Sequence, residues 1–343
     1  MIRGLLVPTA VGLIACIGGW LVDGRALAQA WLVAVLCVAL LPIGALAALA
    51  THGLTGGSWG DATRAVWRAL AASLPLVLVA MLPLLLAVDD LFVWYAPAES
   101  LPDIVQAKRL YLNQPFFLLR WLLYAVMWAV MAWRLAVWGR GDQSVSRTAC
   151  VLTLIGLLYS VTFFGFDWFL SLEPTFYTDV FGLWLVVTAA AAAMAVVMWL
   201  AGEASEAPRA DLAGLWMAVL LGWAFLAFAQ YIIVWSGNLP HEIGWYLHRG
   251  TPLWRPVSWL VFALLLGLPF WLLFTDRGRR SRAVLRLTAT LVLAGSALQV
   301  AWWILPAFDD LSLHLLWLLP GSLLALGGGQ LALVRHRLSG AGS

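Results

Sequence analysis

The chain has 343 residues, of which 63% are hydrophobic and 11% charged, and its formal net charge is +3. Soluble domains run at roughly 45–50% apolar and about 25% charged, so a water-soluble fold could not hide this much apolar surface, whereas a bilayer accepts it. The net charge is too small to mark a nucleic-acid surface, and the 22 Trp residues suit a membrane–water interface, where Trp is favoured.

Crossing a hydrocarbon core about 30 Å thick takes about 20 apolar residues. Ten stretches reach that length, at approximately 4–22, 28–50, 66–88, 115–138, 148–170, 179–201, 211–236, 252–274, 283–306 and 311–334. They predict an all-α polytopic membrane protein in one integral membrane domain, 1–343. β-barrel strands are excluded, because the apolar runs are twice too long and do not alternate. The first run follows Met1-Ile2-Arg3 without a clean small-residue cleavage site, and it reads as a retained span rather than a removed signal peptide.

Between the third and fourth spans, segment 89–114 carries Asp89, Asp90, Glu99, Asp103, Lys108 and Arg109, with room for a short surface helix. The fourth span carries Arg120 near its start. The fifth ends Phe166-Asp167-Trp168-Phe169-Leu170-Ser171-Leu172-Glu173-Pro174. The seventh carries Gln230-Tyr231, followed by a loop, 236–251, with His241, Glu242, Tyr246, His248 and Arg249. After the eighth come Arg277, Arg279, Arg280 and Arg282, and the ninth carries Gln299.

With ten spans both termini share one face. Of the 20 Lys and Arg, 14 fall on that N-terminal face and six on the opposite face. Positive residues concentrate on the cytoplasmic side, so both termini are expected in the cytoplasm, and the arginine cluster at 277–282 reads as a topology determinant. Ten acidic residues lie on the opposite, outer face.

Polar side chains inside a bilayer are costly and call for a reason. Arg120, Asp167, Gln230 and Gln299 all fall one or two turns beneath the outer face, in a single layer. Such a layer suits a small amphipathic ligand entering from lipid, or a proton exit. Asp167 is the candidate proton acceptor or relay, with His241 and Glu242 above it on the route to water. Gln230, Tyr231, Arg120, Gln299 and Glu173 are candidates to bind a quinone or line a proton path. A structural reading stands beside each: Arg120 snorkelling to the interface, Asp167 pairing with Arg120, Gln230 joining helices.

No metal centre is expected. Cys16, Cys37 and Cys150 form no CxxC or CxxCH and read as buried, inert thiols. None of His52, His241, His248, His314 and His336 lies mid-membrane, as paired haem ligands would.

Two stretches resemble a known family. Asp167-Trp168-Phe169-Leu170-Ser171-Leu172-Glu173-Pro174 with Phe181-Gly182 is similar to the DW-x-x-SL-x-P…FG signature of NrfD-like membrane subunits of alternative complex III. The run Phe228 to Pro240, with Gln230, Tyr231, Trp235 and Asn238, followed by Glu242 and Trp245-Tyr246, resembles a second signature of that family, most closely in its ActF subunits. Where that signature has paired acids after the proline, this chain has His241-Glu242.

The resemblance implies two antiparallel four-helix bundles with flanking helices. It also implies a bacterial inner-membrane quinol:electron acceptor (cytochrome c) oxidoreductase, in which this chain contributes to quinol binding or proton translocation near the outer face. Quinol or menaquinol is then the substrate, with no covalently bound cofactor in the chain. The implied partners are an iron–sulfur/molybdopterin-like subunit, c-type cytochromes and a sister NrfD-like subunit, with no nucleic acid. A secondary transporter would instead show broken helices around a mid-bilayer site. A purely structural membrane anchor of a respiratory complex is the third reading.

Overall fold

The computed structural model describes residues 3–138, 146–200 and 206–340. Arg140, Asp142 and Glu203, which enter the charge count above, lie outside the described residues.

Among the described residues ten helices are long and apolar enough to cross a membrane: Gly4–Val22, Gly24–Thr55, Arg64–Leu86, Gln114–Ala136, Arg147–Leu172, Val180–Leu200, Glu206–Gly237, Trp254–Leu273, Arg282–Ala307 and Leu315–Ser339. Among the described residues there is no strand. The protein is an all-α polytopic membrane protein, as its composition requires. The second and seventh spans are longer than expected. At 1.5 Å per residue their 32 residues extend well beyond a 30 Å core.

Contacts between distant segments of the chain agree with the alternation of the spans. Ser58 bonds to Asp211 at 3.2 Å and Arg280 to Glu206 at 3.2 Å on the N-terminal face. On the opposite face Arg25 meets Asp310 at 2.9 Å and His314 meets Asp23 at 3.0 Å.

Spans two to five and six to nine form two four-helix groups that meet where the second span packs on the sixth. The helices approach closely there: a Cβ added to Gly44 would sit 2.1 Å from the Ala189 carbonyl oxygen, so only glycine fits. The first and tenth spans pair with each other on the flank, through Gly12 against the backbone of Gly321 and Ala325.

Proline accounts for the breaks in the third and eighth spans. The third is interrupted at Ala72–Ser73, just before Pro75, whose ring clashes with the carbonyl four residues back. The eighth carries a widened turn over Ala263–Gly267 ahead of Pro269, where the missing proline N–H disrupts the regular ladder.

Segment 236–251, expected as a loop, folds into a surface helix over Pro240–Arg249. Pro240 sits in its first turn, where a missing N–H is harmless. Asn238 reverses the chain ahead of it at φ 50°, a left-handed conformation that asparagine tolerates. This outer helix packs against the eighth span and the end of the ninth. Segment 89–114 contains only short turns of helix, such as Asp103–Gln106.

Candidate functional site

Arg120 and Asp167 are both buried, at 5% and 0% exposure, and they form a bidentate pair. Nε of Arg120 donates to Oδ2 at 2.9 Å and Nη2 to Oδ1 at 2.8 Å. Such a fork is the strongest geometry available to a carboxylate. Tyr124 donates its hydroxyl proton to Oδ2 at 2.7 Å, and Nη1 of Arg120 donates to the Tyr111 carbonyl at 2.9 Å. Tyr124 stands four residues after Arg120, one turn along the same face of the fourth span. The stripe continues to Trp128, which donates to Ser160 on the fifth span at 2.8 Å.

The guanidinium carbon of Arg120 lies 3.8 Å from the centroid of the Tyr111 ring and 4.4 Å from that of Phe116. Both rings line a cleft of about 570 Å³ at the face opposite the termini. Phe163, Phe166, Leu170 and Phe176 give the cleft an apolar body, and Lys108, Ser171 and Asp179 supply polar groups. Phe163 is 42% exposed on the outer surface of the helices, so the cleft borders the lipid-facing side.

Tyr111 belongs to the connection before the fourth span and links the cleft to the ion pair. Its hydroxyl is buried beside the Asp167 carboxylate and Tyr124. Burial first, and then the Asp167 charge, push its pKa well above that of an ordinary phenol. It therefore keeps its proton at neutral pH. Ser171, also in the cleft wall, donates its hydroxyl to the Asp167 carbonyl. Lys108 is tied to the Pro174 carbonyl at 2.6 Å, and burial lowers its pKa.

A second buried pair stands on the outer helix. Nη2 of Arg249 meets Oε2 of Glu173 at 2.7 Å, and Nδ1 of His248 meets Oε1 at 2.8 Å. Arg249 is 2% exposed. It also donates to the carbonyls of Trp245 at 2.9 Å and Trp303 at 2.7 Å. The Trp245 ring lies 3.7 Å from its guanidinium carbon and stacks on Phe176 of the cleft at 5.0 Å. Desolvation lowers the Arg249 pKa, and Glu173 opposes that shift.

The expected single polar layer is thus divided. Arg120 and Asp167 meet, while Gln230 and Gln299 have other partners. Gln230 accepts from the Thr178 hydroxyl, and Gln299 accepts from Trp223 Nε1 at 2.8 Å. The amide nitrogen of each has no protein partner. Tyr231 is 47% exposed and packs edge-on against Tyr246. His241 and Glu242 lie in the first turn of the outer helix, toward water and outside the ion-pair network. Tyr111, Tyr124 and the Arg249–Glu173 contact are not apparent from residue type alone. The spacing of Tyr124 from Arg120 is the one signal that points to any of them.

A membrane protein with a buried arginine–carboxylate network beneath an aromatic cleft is the class that the fold and site define. No family model matches the chain, and no curated protein matches it either.

Proposed function

We propose that this chain is a membrane subunit of a respiratory quinol oxidoreductase complex, and that the outer cleft receives the quinol ring. The supporting observation is the wall formed by Tyr111 and Phe116, two aromatic rings held against Arg120, which is itself held by Asp167. A flat amphipathic ring can enter from lipid, stack on this wall and meet Lys108, Ser171 and Asp179 with its oxygens. The DW-x-x-SL-x-P and Phe228–Pro240 resemblances support the same function.

Oxidation of a quinol releases two electrons and two protons. In this reading the electrons go to a redox centre of an extracytoplasmic partner, an iron–sulfur/molybdopterin-like subunit followed by c-type cytochromes. The protons leave at the outer face, where Glu173, His248, His241 and Glu242 stand. Asp167 then acts chiefly as a positioning residue, because Arg120 and Tyr124 occupy its oxygens. The setting is a bacterial inner membrane, with both termini cytoplasmic and a sister NrfD-like subunit alongside.

The test is quinol-dependent electron transfer in membranes carrying Tyr111→Leu, with assembly checked by subunit content. The expected result is an assembled complex with a rate lowered at least about tenfold, equivalent to roughly 1.4 kcal/mol of lost positioning. A wild-type rate in a fully assembled variant would overturn the reading.

A further inference from the structure

A second cavity of about 360 Å³ lies in the other half of the bilayer, between the first, second, sixth, ninth and tenth spans. It runs from Trp199 and Arg335, near the N-terminal face, to Cys37, Ser296 and Gln330 in the interior. The Arg335 guanidinium lies 6.0 Å from the Trp199 ring centroid. The wall is otherwise almost wholly apolar.

Gln330 is fully buried at 0% exposure, and its amide orientation is dictated by its neighbours. Nε2 donates to the Val38 carbonyl at 3.0 Å and to Ser73 Oγ at 2.9 Å. The Val38 carbonyl needs a donor because Pro42, four residues on, has no N–H. Ser73 has committed its own proton to the Leu70 carbonyl at 2.6 Å, so its oxygen can only accept. Two acceptors on one side require the NH₂ group there. The carbonyl Oε1 therefore faces away, and it has no protein partner. Ser296, 2% exposed, likewise has no partner for its hydroxyl. Both residues line the cavity.

A buried amide oxygen without a donor is unfavourable by about 1–3 kcal/mol. Phosphate diesters and carboxylic esters bring only acceptors and cannot relieve it. We infer that this cavity binds a hydroxyl-bearing amphiphile drawn from the membrane. Its O–H donates to Gln330 Oε1, Ser296 bonds to the same or a neighbouring oxygen, and its apolar body fills the space between the spans. A reduced isoprenoid quinol and a hydroxylated glycerolipid share this chemistry. The cavity is remote from the outer cleft, so its occupancy is independent of the function proposed above.

The test combines analysis of co-purifying lipids with native mass spectrometry of the purified full chain, titrated with dodecan-1-ol or with methyl dodecyl ether, which lacks the donor. A Cβ at Gly327 meets nothing within 4 Å, so Gly327→Leu fills the cavity without a backbone clash. The expected result is a co-purifying hydroxylated amphiphile that is depleted at least tenfold in Gly327→Leu. Its mass separates a quinol from a glycerolipid, and either supports the inference. Dodecanol should bind about fivefold more tightly than the ether, the effect of one net hydrogen bond. Both probes should bind more weakly in Ser296→Ala, which removes a hydroxyl able to donate to either oxygen and so keeps the test available if Gly327→Leu does not fold. Equal affinity for alcohol and ether, affinities for both unchanged in Ser296→Ala, or a bound species lacking hydroxyls would overturn it.

Discussion

Arg120 grips both oxygens of Asp167, at 2.9 and 2.8 Å, in a place where neither side chain reaches water. Breaking such a pair leaves one buried charge alone, which is destabilising by about 3–5 kcal/mol, whereas replacing both partners with apolar groups is often nearly neutral. Asp167→Ala is therefore expected to destabilise the protein strongly, and Arg120→Met with Asp167→Leu to recover most of the loss. Thermal unfolding of wild type, Asp167→Ala and the double variant in detergent tests this directly. A double variant as unstable as Asp167→Ala would show that the pair is not the source.

Glu173 couples the end of the fifth span to the outer helix through Arg249 and His248. Glu173→Gln keeps the shape and removes the charge. The Arg249 guanidinium would then keep the carbonyls of Trp245, Trp302 and Trp303 but lose its anionic partner. Residues 240–249 should exchange their amide hydrogens faster, with little change in the ten spans. Unchanged protection in that helix would mean that the carbonyl contacts and the Trp245 ring hold it unaided.

Asp23 lies between the first and second spans and ties them to the tenth. It accepts from the Ala26 amide at 2.9 Å, and it meets His314 at 3.0 Å and Ser312 at 2.7 Å. The Ala26 amide first, and then His314 and Ser312, hold its carboxyl at about 2, below its ordinary 3.8. A carboxyl lowered on folding stabilises the fold above its unfolded pKa and loses that effect as pH falls through the folded value. Wild type should melt above Asp23→Asn at neutral pH, and the gap should close as pH falls from about 4 to about 2. A gap independent of pH would assign the effect to packing rather than charge.

The bias of basic residues predicts that both termini are cytoplasmic. A reporter active only in the cytoplasm should work when fused at Ser343. One active only outside should work when inserted between Ser236 and Thr251. A C-terminus outside the cytoplasm would reverse the orientation and move the cleft to the other side of the membrane.

Much of this architecture is a property of the sequence alone. The ten spans are legible because bilayer insertion depends on local hydropathy, summed over about 20 neighbouring residues. The need for an Asp167 partner is also legible, since an unpaired carboxylate at that depth is too costly to leave alone. Tertiary structure decided which partners meet. Gln230 and Gln299 share a depth with Asp167, but helix rotation gives them Thr178 and Trp223 instead. Tyr111 enters the site from a connecting segment that carries no periodic signal. Gln330 reaches Val38 and Ser73 only because the second, third and tenth spans converge. Depth follows from position along one helix, whereas contact depends on how several helices turn their faces toward one another, and that is set by packing between residues distant in the chain.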